Sequence, residues 1–373
     1  MRRKTRTRWR RERRLGRWLG VAACVGACAG AVGLSASPAG AGADPFAPMD
    51  RALGARVARD GLPGGVLYVG AGGSTVHVFS ARKVGPATVL PIASASKWLT
   101  SALVMTLVDE GRLTLDGRVG DLLPGFDGAK RSVTVRQLLS HTSGLASDPC
   151  VGSPDTTTAA CVGRLAAGPD PVSAPGMRFA YSGVGYEVAG RIVEVLTGQS
   201  FGAAFAARIA GPLGLEHTAF DRLDGATVAH PVPSASATST VDDYAKFLAM
   251  LAAGGVARSG PADGQRILSA DSVAEIERDQ VRGLDTSGDG AVAITGIPTY
   301  GLGVWRDEVG PADEARIVSG NGAFGFYPWI DRRAGSGGTY GIVAVADLTH
   351  GPEYAVPRSQ KLARSAWQAA ARR

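Results

Sequence analysis

The order of strand-like and helix-like segments constrains the fold of this chain more than any other feature. Two strand-like segments near its start, residues 65–70 and Ser74–Arg82, flank the glycine-rich turn 71–73 and predict a β-hairpin. Strand-like segments return only near the end of the chain, and the residues between have helical periodicity. The order predicts an α+β fold: one antiparallel sheet flanked by helices and interrupted by an inserted all-helical lobe.

Periodicity places the remaining elements. Four later strands are predicted where apolar residues follow one another or alternate with polar ones between turn residues. These strands cover residues 301–305, 315–319, 324–330 and 341–347. Helical spacing of apolar residues predicts helices over residues 47–60, 96–110, 135–139, 185–197, 201–209, 241–253 and 359–371. No linker divides the chain after residue 43, so we expect two interleaved lobes: an α/β lobe from residues 44–93 and about 232–373, and a helical lobe from about 94–231.

Residues 1–43 have the layout of a secretory signal peptide. They hold ten arginine and lysine residues against one acid, an uncharged apolar stretch over residues 19–34, and small residues at the −3 and −1 positions of a cleavage site after Ala43. We therefore expect a secreted or extracytoplasmic mature chain that starts at Asp44. Two alternatives stay open: an uncleaved anchor, and a lipoprotein processed at Cys24 or Cys28.

The positive charge of the chain belongs to this leader. The full sequence has a formal net charge of +7, but residues 44–373 hold 30 basic and 32 acidic residues. A near-neutral body attracts polyphosphates weakly, so no nucleic-acid partner is expected. No later apolar stretch is long enough to cross a bilayer, so no stable membrane span is expected after cleavage. The sequence leaves the oligomeric state open.

Two cysteines remain after the leader, Cys150 and Cys161, with a polar segment between them. In an oxidising compartment two cysteines this close in sequence are expected to pair, which stabilises the fold by about 3 kcal/mol at most. The alternative is two unpaired thiols. No histidine or second cysteine pair lies at ligand spacing, so no metal site is expected.

A Ser-x-x-Lys sequence opens the helix predicted from residue 96. Positions i and i+3 share one helix face, so the amine of Lys97 can reach the hydroxyl of Ser94. A serine needs a base to become a good nucleophile, and a lysine can serve as that base when burial lowers its pKa. The free N–H of Ser94 at a helix start can also donate to a developing oxyanion. Taken alone, the pattern is more typical of a capping serine beside a solvated lysine.

A second serine pattern is interpreted as structural. Residues 198–202 match G-x-S-x-G, with Ser200 in the centre, but this nucleophile elbow requires a preceding strand. The preceding residues have helical spacing. Gly198 is suited to ending that helix and Ser200 to capping the next.

Two further motifs follow Ser94 and Lys97 in a fixed order. Tyr181-Ser182-Gly183 lies within 179–186, and Gly320-Asn321-Gly322-Ala323 lies within 319–325. The three motifs resemble those of the serine β-lactamase and penicillin-binding protein superfamily. Phrases such as 92–100 (IASASKWLT) and 133–145 (VTVRQLLSHTSGL) are similar to its class C β-lactamase-like branch, which includes β-lactamase-fold esterases and D-aminopeptidases. The resemblance implies a β-lactamase/DD-peptidase-like fold with its site between the two lobes.

The resemblance also implies roles for individual residues. Ser94 corresponds to the acylated nucleophile, Lys97 to its proton acceptor, and Tyr181 to a second proton-transfer group with phenolate character favoured by Lys97. The N–H groups of Ser94 and Ala323 correspond to the oxyanion hole. No metal or organic cofactor is implied, and His141 is interpreted as structural.

The sequence departs from the family pattern at two positions. Gly183 stands where the second motif usually has asparagine, and Gly320 where the third usually has lysine or histidine. Gly183, Gly320, Asn321 and Gly322 are therefore the candidate substrate-binding residues, with no side-chain donor at the glycines and with Asn321 as a partial substitute. The loss weakens the anchor for a β-lactam or a D-Ala-D-Ala end by about 1.5–3 kcal/mol per charged hydrogen bond.

These features predict a secreted serine hydrolase that works through an acyl-enzyme on Ser94. The expected substrate is a small-molecule ester, amide or peptide-like compound, and the expected activity is that of an esterase or amidase. One alternative is a β-lactamase or DD-carboxypeptidase acting on β-lactams or peptidoglycan. The other is a non-catalytic binding protein on the same fold.

Overall fold

An antiparallel sheet joins the two ends of the chain in the computed structural model. The structure describes residues 44–220, 230–333 and 338–372, and between the first two ranges only the backbone at 222–223 and 226–227. The strands are, in chain order, β1 (Gly64–Ala71), β2 (Ser74–Arg82), β3 (Leu90–Pro91), β4 (Arg222–Leu223), β5 (Ala226–Thr227), β6 (Thr238–Ser239), β7 (Trp305–Val309), β8 (Ala315–Ser319), β9 (Tyr327–Asp331) and β10 (Thr339–Val345).

The six-stranded sheet has the order β2-β1-β10-β9-β8-β7, with every neighbouring pair antiparallel. The first and last strands lie side by side, in a register that runs from Gly65 opposite Val345 to Ala71 opposite Thr339. The remaining strands form two small pairs, β3 with β6 and β4 with β5. The α+β fold predicted from the segment order is therefore confirmed.

Helices fill the sequence between the two halves of the sheet and cover its faces. They are, in chain order, α1 (Ala47–Arg59), α2 (Ser96–Asp109), α3 (Val119–Leu122), α4 (Val135–Leu139), α5 (Thr158–Ala167), α6 (Val184–Thr197), α7 (Phe201–Phe205), α8 (Gly211–Leu213), α9 (Val241–Ala252), α10 (Ala270–Glu277), α11 (Gly290–Thr295) and α12 (Pro352–Ala370). Short 3-10 helices lie at Ala93–Ala95 and Gly128–Ser132, and a short π-helix at Ala206–Ala210 joins α7 to α8.

Two packed layers bury the sheet. Helices α1 and α12 cover one face, where Trp329 of β9 meets Trp367 of α12 edge-on. Helices α2 and α9 belong to the core on the other face, where Trp98 meets Phe247 edge-on. Helix α2 is buried from Ser96 to Leu107, because its apolar residues surround the axis instead of forming one stripe. This burial also encloses Lys97.

Several predicted boundaries are wrong. The strand predicted over 301–305 begins only at Trp305, because Gly303 adopts φ +83° and packs against α2, where a Cβ would lie 2.7 Å from the Lys97 carbonyl oxygen. The helix predicted over 201–209 is helical throughout, but its geometry changes from α to π after Phe205. The closing helix begins at Pro352 instead of 359, since a proline is well tolerated in the first helical turn. Helices α3, α5, α8, α10 and α11 were not predicted.

The disulfide and the interpretation of Ser200 agree with the sequence analysis. Cys150 and Cys161 are joined by a disulfide. Gly198 ends α6 with φ +70°, and the Ser200 hydroxyl accepts a hydrogen bond from Ala203 N at 3.3 Å and caps α7. The predicted leader lies outside the described residues. Among the residues that are described, no helix combines the length and apolarity needed for a bilayer crossing.

Candidate active site

The Ser-x-x-Lys sequence forms a tight turn that leads into α2. Ser94 lies in the 3-10 turn Ala93–Ala95, and α2 starts at Ser96. Ala93 holds a left-handed φ of +46°, which is unfavourable for a residue with a Cβ and persists only where the surrounding structure imposes it. The turn therefore presents Ser94 at the head of a buried helix.

Lys97 contacts the serine directly. Its Nζ donates to Ser94 Oγ at 3.0 Å and to the main-chain oxygen of Ser234 at 3.0 Å. The lysine is only 3% exposed, and burial lowers its pKa from 10.5 to about 7. A substantial fraction of Lys97 is therefore neutral at neutral pH and able to accept a proton.

Tyr181 lies over the same amine. The Lys97 Nζ is 4.6 Å from the centre of the Tyr181 ring. Burial raises the pKa of Tyr181, and a hydrogen bond with Ser94 offsets only part of that rise. The expected phenolate character is therefore wrong, because burial disfavours the charged phenolate more than the hydrogen bond with Ser94 stabilises it. Tyr181 is present as the protonated phenol.

Aromatic rings and His141 fix the position of Tyr181. Its ring stacks on Trp305, with centroids 5.4 Å apart, and tilts against His141 at 4.3 Å. His141 Nδ1 accepts from Ser182 N at 3.3 Å, and its Nε2 lies 3.3 Å from the hydroxyl of Tyr300. Burial and the nearby Lys97 lower the pKa of His141, which keeps the ring neutral and leaves Nδ1 able to accept. His141 thus orders the second motif.

The third motif packs closely against the turn that carries Ser94. Gly322 N donates to Phe326 O at 2.8 Å, and a Cβ at Gly322 would lie only 2.2 Å from Ile92 O, two residues before Ser94. Glycine is thus required at this close approach. The next residue, Ala323, lines the same cavity as Ser94.

The cavity beside Ser94 has a volume of about 320 Å³. It is lined by Ser94, Tyr181, Asp289, Gly290, Ala291, Ile294, Thr295, Trp305, Asn321, Ala323, Pro352 and Val356. Of the four candidate substrate-binding residues, Asn321 lines this cavity, and its Nδ2 is buried without a hydrogen-bond partner. Gly183, Gly320 and Gly322 instead allow close packing, Gly320 against Trp98 with only 3.0 Å of space for a Cβ.

Asp289 gives the cavity its negative charge, and the sequence analysis did not identify it as functional. Its Oδ2 accepts from Tyr181 N at 2.8 Å, while its Oδ1 caps α11. The described lining contains no lysine, arginine or histidine. The Asp-Gly pair before an apolar run could have indicated a helix cap, but its contact with Tyr181, 108 residues away, is tertiary.

A buried acid–histidine pair lies outside the residues that line the cavity. His230 Nε2 is 2.6 Å from Glu187 Oε1, and its Nδ1 is 2.7 Å from Ser153 O. Cys161 lies within 4.8 Å of their ligand-type atoms, but its sulfur is committed to the disulfide. The contacts of His230 therefore join α6 and the loop between the two cysteines to the segment that leads to Ser234.

Comparisons with known proteins identify the family of this chain. A sequence model of the β-lactamase family matches residues 49–365, which is most of the chain. The chain belongs to the β-lactamase family.

Individual relatives are similar over different lengths. Penicillin-binding protein 4 of Amycolatopsis lactamdurans is 42% identical over 164 residues, a match that spans 42% of this chain and 40% of that protein. A crystal structure assigned to the β-lactamases, from Bacteroides dorei DSM 17855, is 31% identical, with a TM-score of 0.75 over 86% of this chain and 98% of that one. A family VIII carboxylesterase is 21% identical, with a TM-score of 0.68 over 88% and 99%, which shows a shared fold.

Proposed function

We propose that this protein is a secreted serine hydrolase that cleaves uncharged esters or amides through an acyl-enzyme on Ser94. The observation that carries the proposal is the 3.0 Å contact between Ser94 Oγ and a buried lysine whose pKa is about 7. A lysine with that pKa is a suitable general base at neutral pH. The adjoining cavity supplies room for the substrate.

Acylation follows from the placement of these groups. Neutral Lys97 takes the proton of Ser94 as Oγ attacks the carbonyl carbon of the substrate. The N–H groups of Ser94 and Ala323 donate to the resulting oxyanion. The phenol of Tyr181 donates its proton to the leaving group and regains one from protonated Lys97, so the expelled alcohol or amine leaves neutral. Water then attacks acyl-Ser94 by the reverse proton path and releases the acid.

The charge of the cavity favours substrates without a carboxylate. A basic side chain is absent from its described lining, Gly320 has none to offer, and Asp289 repels an anion. Penicillin-type substrates and peptide C-termini carry a carboxylate and are disfavoured here. The carboxylesterase with the same fold indicates that this architecture accommodates ester hydrolysis.

The likeness to a penicillin-binding protein supports one alternative, a β-lactamase or DD-carboxypeptidase. That match spans less than half the length of the relative, so its activity does not transfer directly. A non-catalytic binding protein is the other alternative, which the Ser94–Lys97 contact disfavours.

Labelling and turnover separate these functions. The mature chain is treated with a fluorophosphonate and then assayed with p-nitrophenyl butyrate and nitrocefin. We expect Ser94 to be labelled and the ester to be hydrolysed, with both lost in Ser94→Ala and both kept in Ser200→Ala, the matched control at the helix cap. Rapid nitrocefin turnover would favour the β-lactamase alternative. Absence of labelling and of all turnover would support the binding protein.

Export is tested separately. We propose that the leader is cleaved after Ala43, since its charge and small residues fit a secretory signal. N-terminal sequencing of protein from the culture medium should begin at Asp44. Retention of residues 1–43 would contradict cleavage.

A further inference from the structure

Ser234 fills the space beside Gly183. A Cβ built on Gly183 would lie 2.9 Å from Ser234 Oγ and 3.0 Å from Val151 Cγ1, both closer than side chains normally approach. Gly183 has an ordinary helical φ of −84°, so its backbone does not require glycine. A Cβ at position 183 therefore fits only if neighbouring side chains shift, chiefly the hydroxyl of Ser234.

The same serine is held against the proposed base. The Ser234 main-chain oxygen accepts from Lys97 Nζ at 3.0 Å, and the preceding carbonyl, of Pro233, accepts from Thr100 Oγ1 at 2.6 Å. Both donors belong to α2. Ser234 is only 4% exposed, and four residues earlier His230 is anchored to Glu187. The hydroxyl next to Gly183 therefore belongs to the residue whose main-chain oxygen contacts Lys97.

We propose that Ser234, in the segment before β6, is a positioning residue. Its hydroxyl takes the place of the polar group that a side chain at position 183 would bring to the site. Its carbonyl orients Lys97 and its hydroxyl occupies the volume next to Gly183. The two positions thus form one functional unit, in which only one of them can carry the polar group. This inference rests on the proposed acyl-transfer function.

Coupling between the two positions tests the inference. Ser234→Ala removes the hydroxyl and keeps the carbonyl. Gly183→Ala leaves the hydroxyl in the sequence but displaces it by its Cβ. We expect each variant to lower kcat for p-nitrophenyl butyrate about 5- to 10-fold with little change in KM, the range for one lost hydrogen bond. The double variant should lose no more than either single variant, because both changes remove the same group.

A polar side chain placed at position 183 should restore the activity that Ser234→Ala loses. Gly183→Asn combined with Ser234→Ala should return kcat to within about 3-fold of wild type, since an amide then enters the vacated volume. Thermal stability is measured in parallel, because a purely structural role would change the melting temperature and not the kcat coupling.

Three outcomes would overturn the inference: unchanged kcat in Ser234→Ala, multiplicative losses in the double alanine variant, or no recovery with asparagine. Each requires active wild-type protein. Failure of wild-type Ser94 to react with the fluorophosphonate would instead refute the proposed function.

Discussion

Replacement of Lys97 by methionine should abolish acylation and at the same time stabilise the fold. Methionine has a similar length and needs no hydration. The fall in the pKa of Lys97 from 10.5 to about 7 corresponds to about 5 kcal/mol of preference for the neutral amine. Loss of the donor to Ser94 and Ser234 costs about 1–3 kcal/mol. We therefore expect a net gain of about 2–4 kcal/mol in the free energy of unfolding at pH 6.

The sign follows from proton binding. Between pH 7 and 10.5 the unfolded chain holds a proton on Lys97 that the folded chain lacks, so stability rises with pH through this window and is lost as pH falls toward 7. Below pH 7 both states are protonated and the penalty is constant. The advantage of Lys97→Met should therefore shrink steadily as the pH rises from 7 toward 10.

Urea denaturation at pH 6, 8 and 10 measures this difference, and fluorophosphonate labelling measures acylation. Ser94→Ala is the matched control, because it is also expected to be inactive but keeps the titrating amine and hence the pH dependence. A Lys97→Met advantage that is equal at all three pH values would refute the burial argument. Near-normal ester turnover by that variant would refute the assignment of Lys97 as the base.

Three further measurements test the site and its supports. The kcat/KM for a neutral ester should rise with pH to a plateau, with its half-maximum near pH 7, because only neutral Lys97 accepts the serine proton; a falling profile would contradict this. Replacing Cys150 and Cys161 by serine should lower the unfolding free energy by about 3 kcal/mol in urea, and an unchanged midpoint would count against the disulfide. Gly322→Ala should impair labelling, since its Cβ would overlap a carbonyl oxygen at 2.2 Å, whereas Gly85→Ala, in open space, should not.

Local signals in the sequence predicted much of the fold. The hairpin of β1 and β2 was predicted from alternation around a glycine turn, and the junction at Gly198 and Ser200 from the preferences of helix ends. These predictions succeeded because backbone periodicity and capping act within a few residues. The strand predicted over 301–305 was wrong, since the conformation of Gly303 is decided by its packing on α2, about 200 residues away in sequence.

In the site, too, local features were predicted from the sequence and tertiary contacts were not. Spacing alone brought Ser94 within reach of Lys97, because residues three apart share a helix face. The structure adds Tyr181 to this pair, at the position that the family resemblance implied. The protonation state of Tyr181 was predicted incorrectly, because a pKa depends on how completely other segments remove water from the hydroxyl. Asp289 and Ser234 were missed because their contacts cross more than one hundred residues.

The sequence by itself determined which groups are available for chemistry: a serine and a lysine one helical turn apart, a tyrosine, and glycines where the family usually has polar side chains. Tertiary structure alone decided their chemical state. Packing of α2 inside the core strips water from Lys97, and segments distant in sequence supply its carbonyl acceptor and a carboxylate for the cavity. Spacing is a property of the local backbone, whereas hydration and electric potential are sums over every neighbour that folding brings into contact.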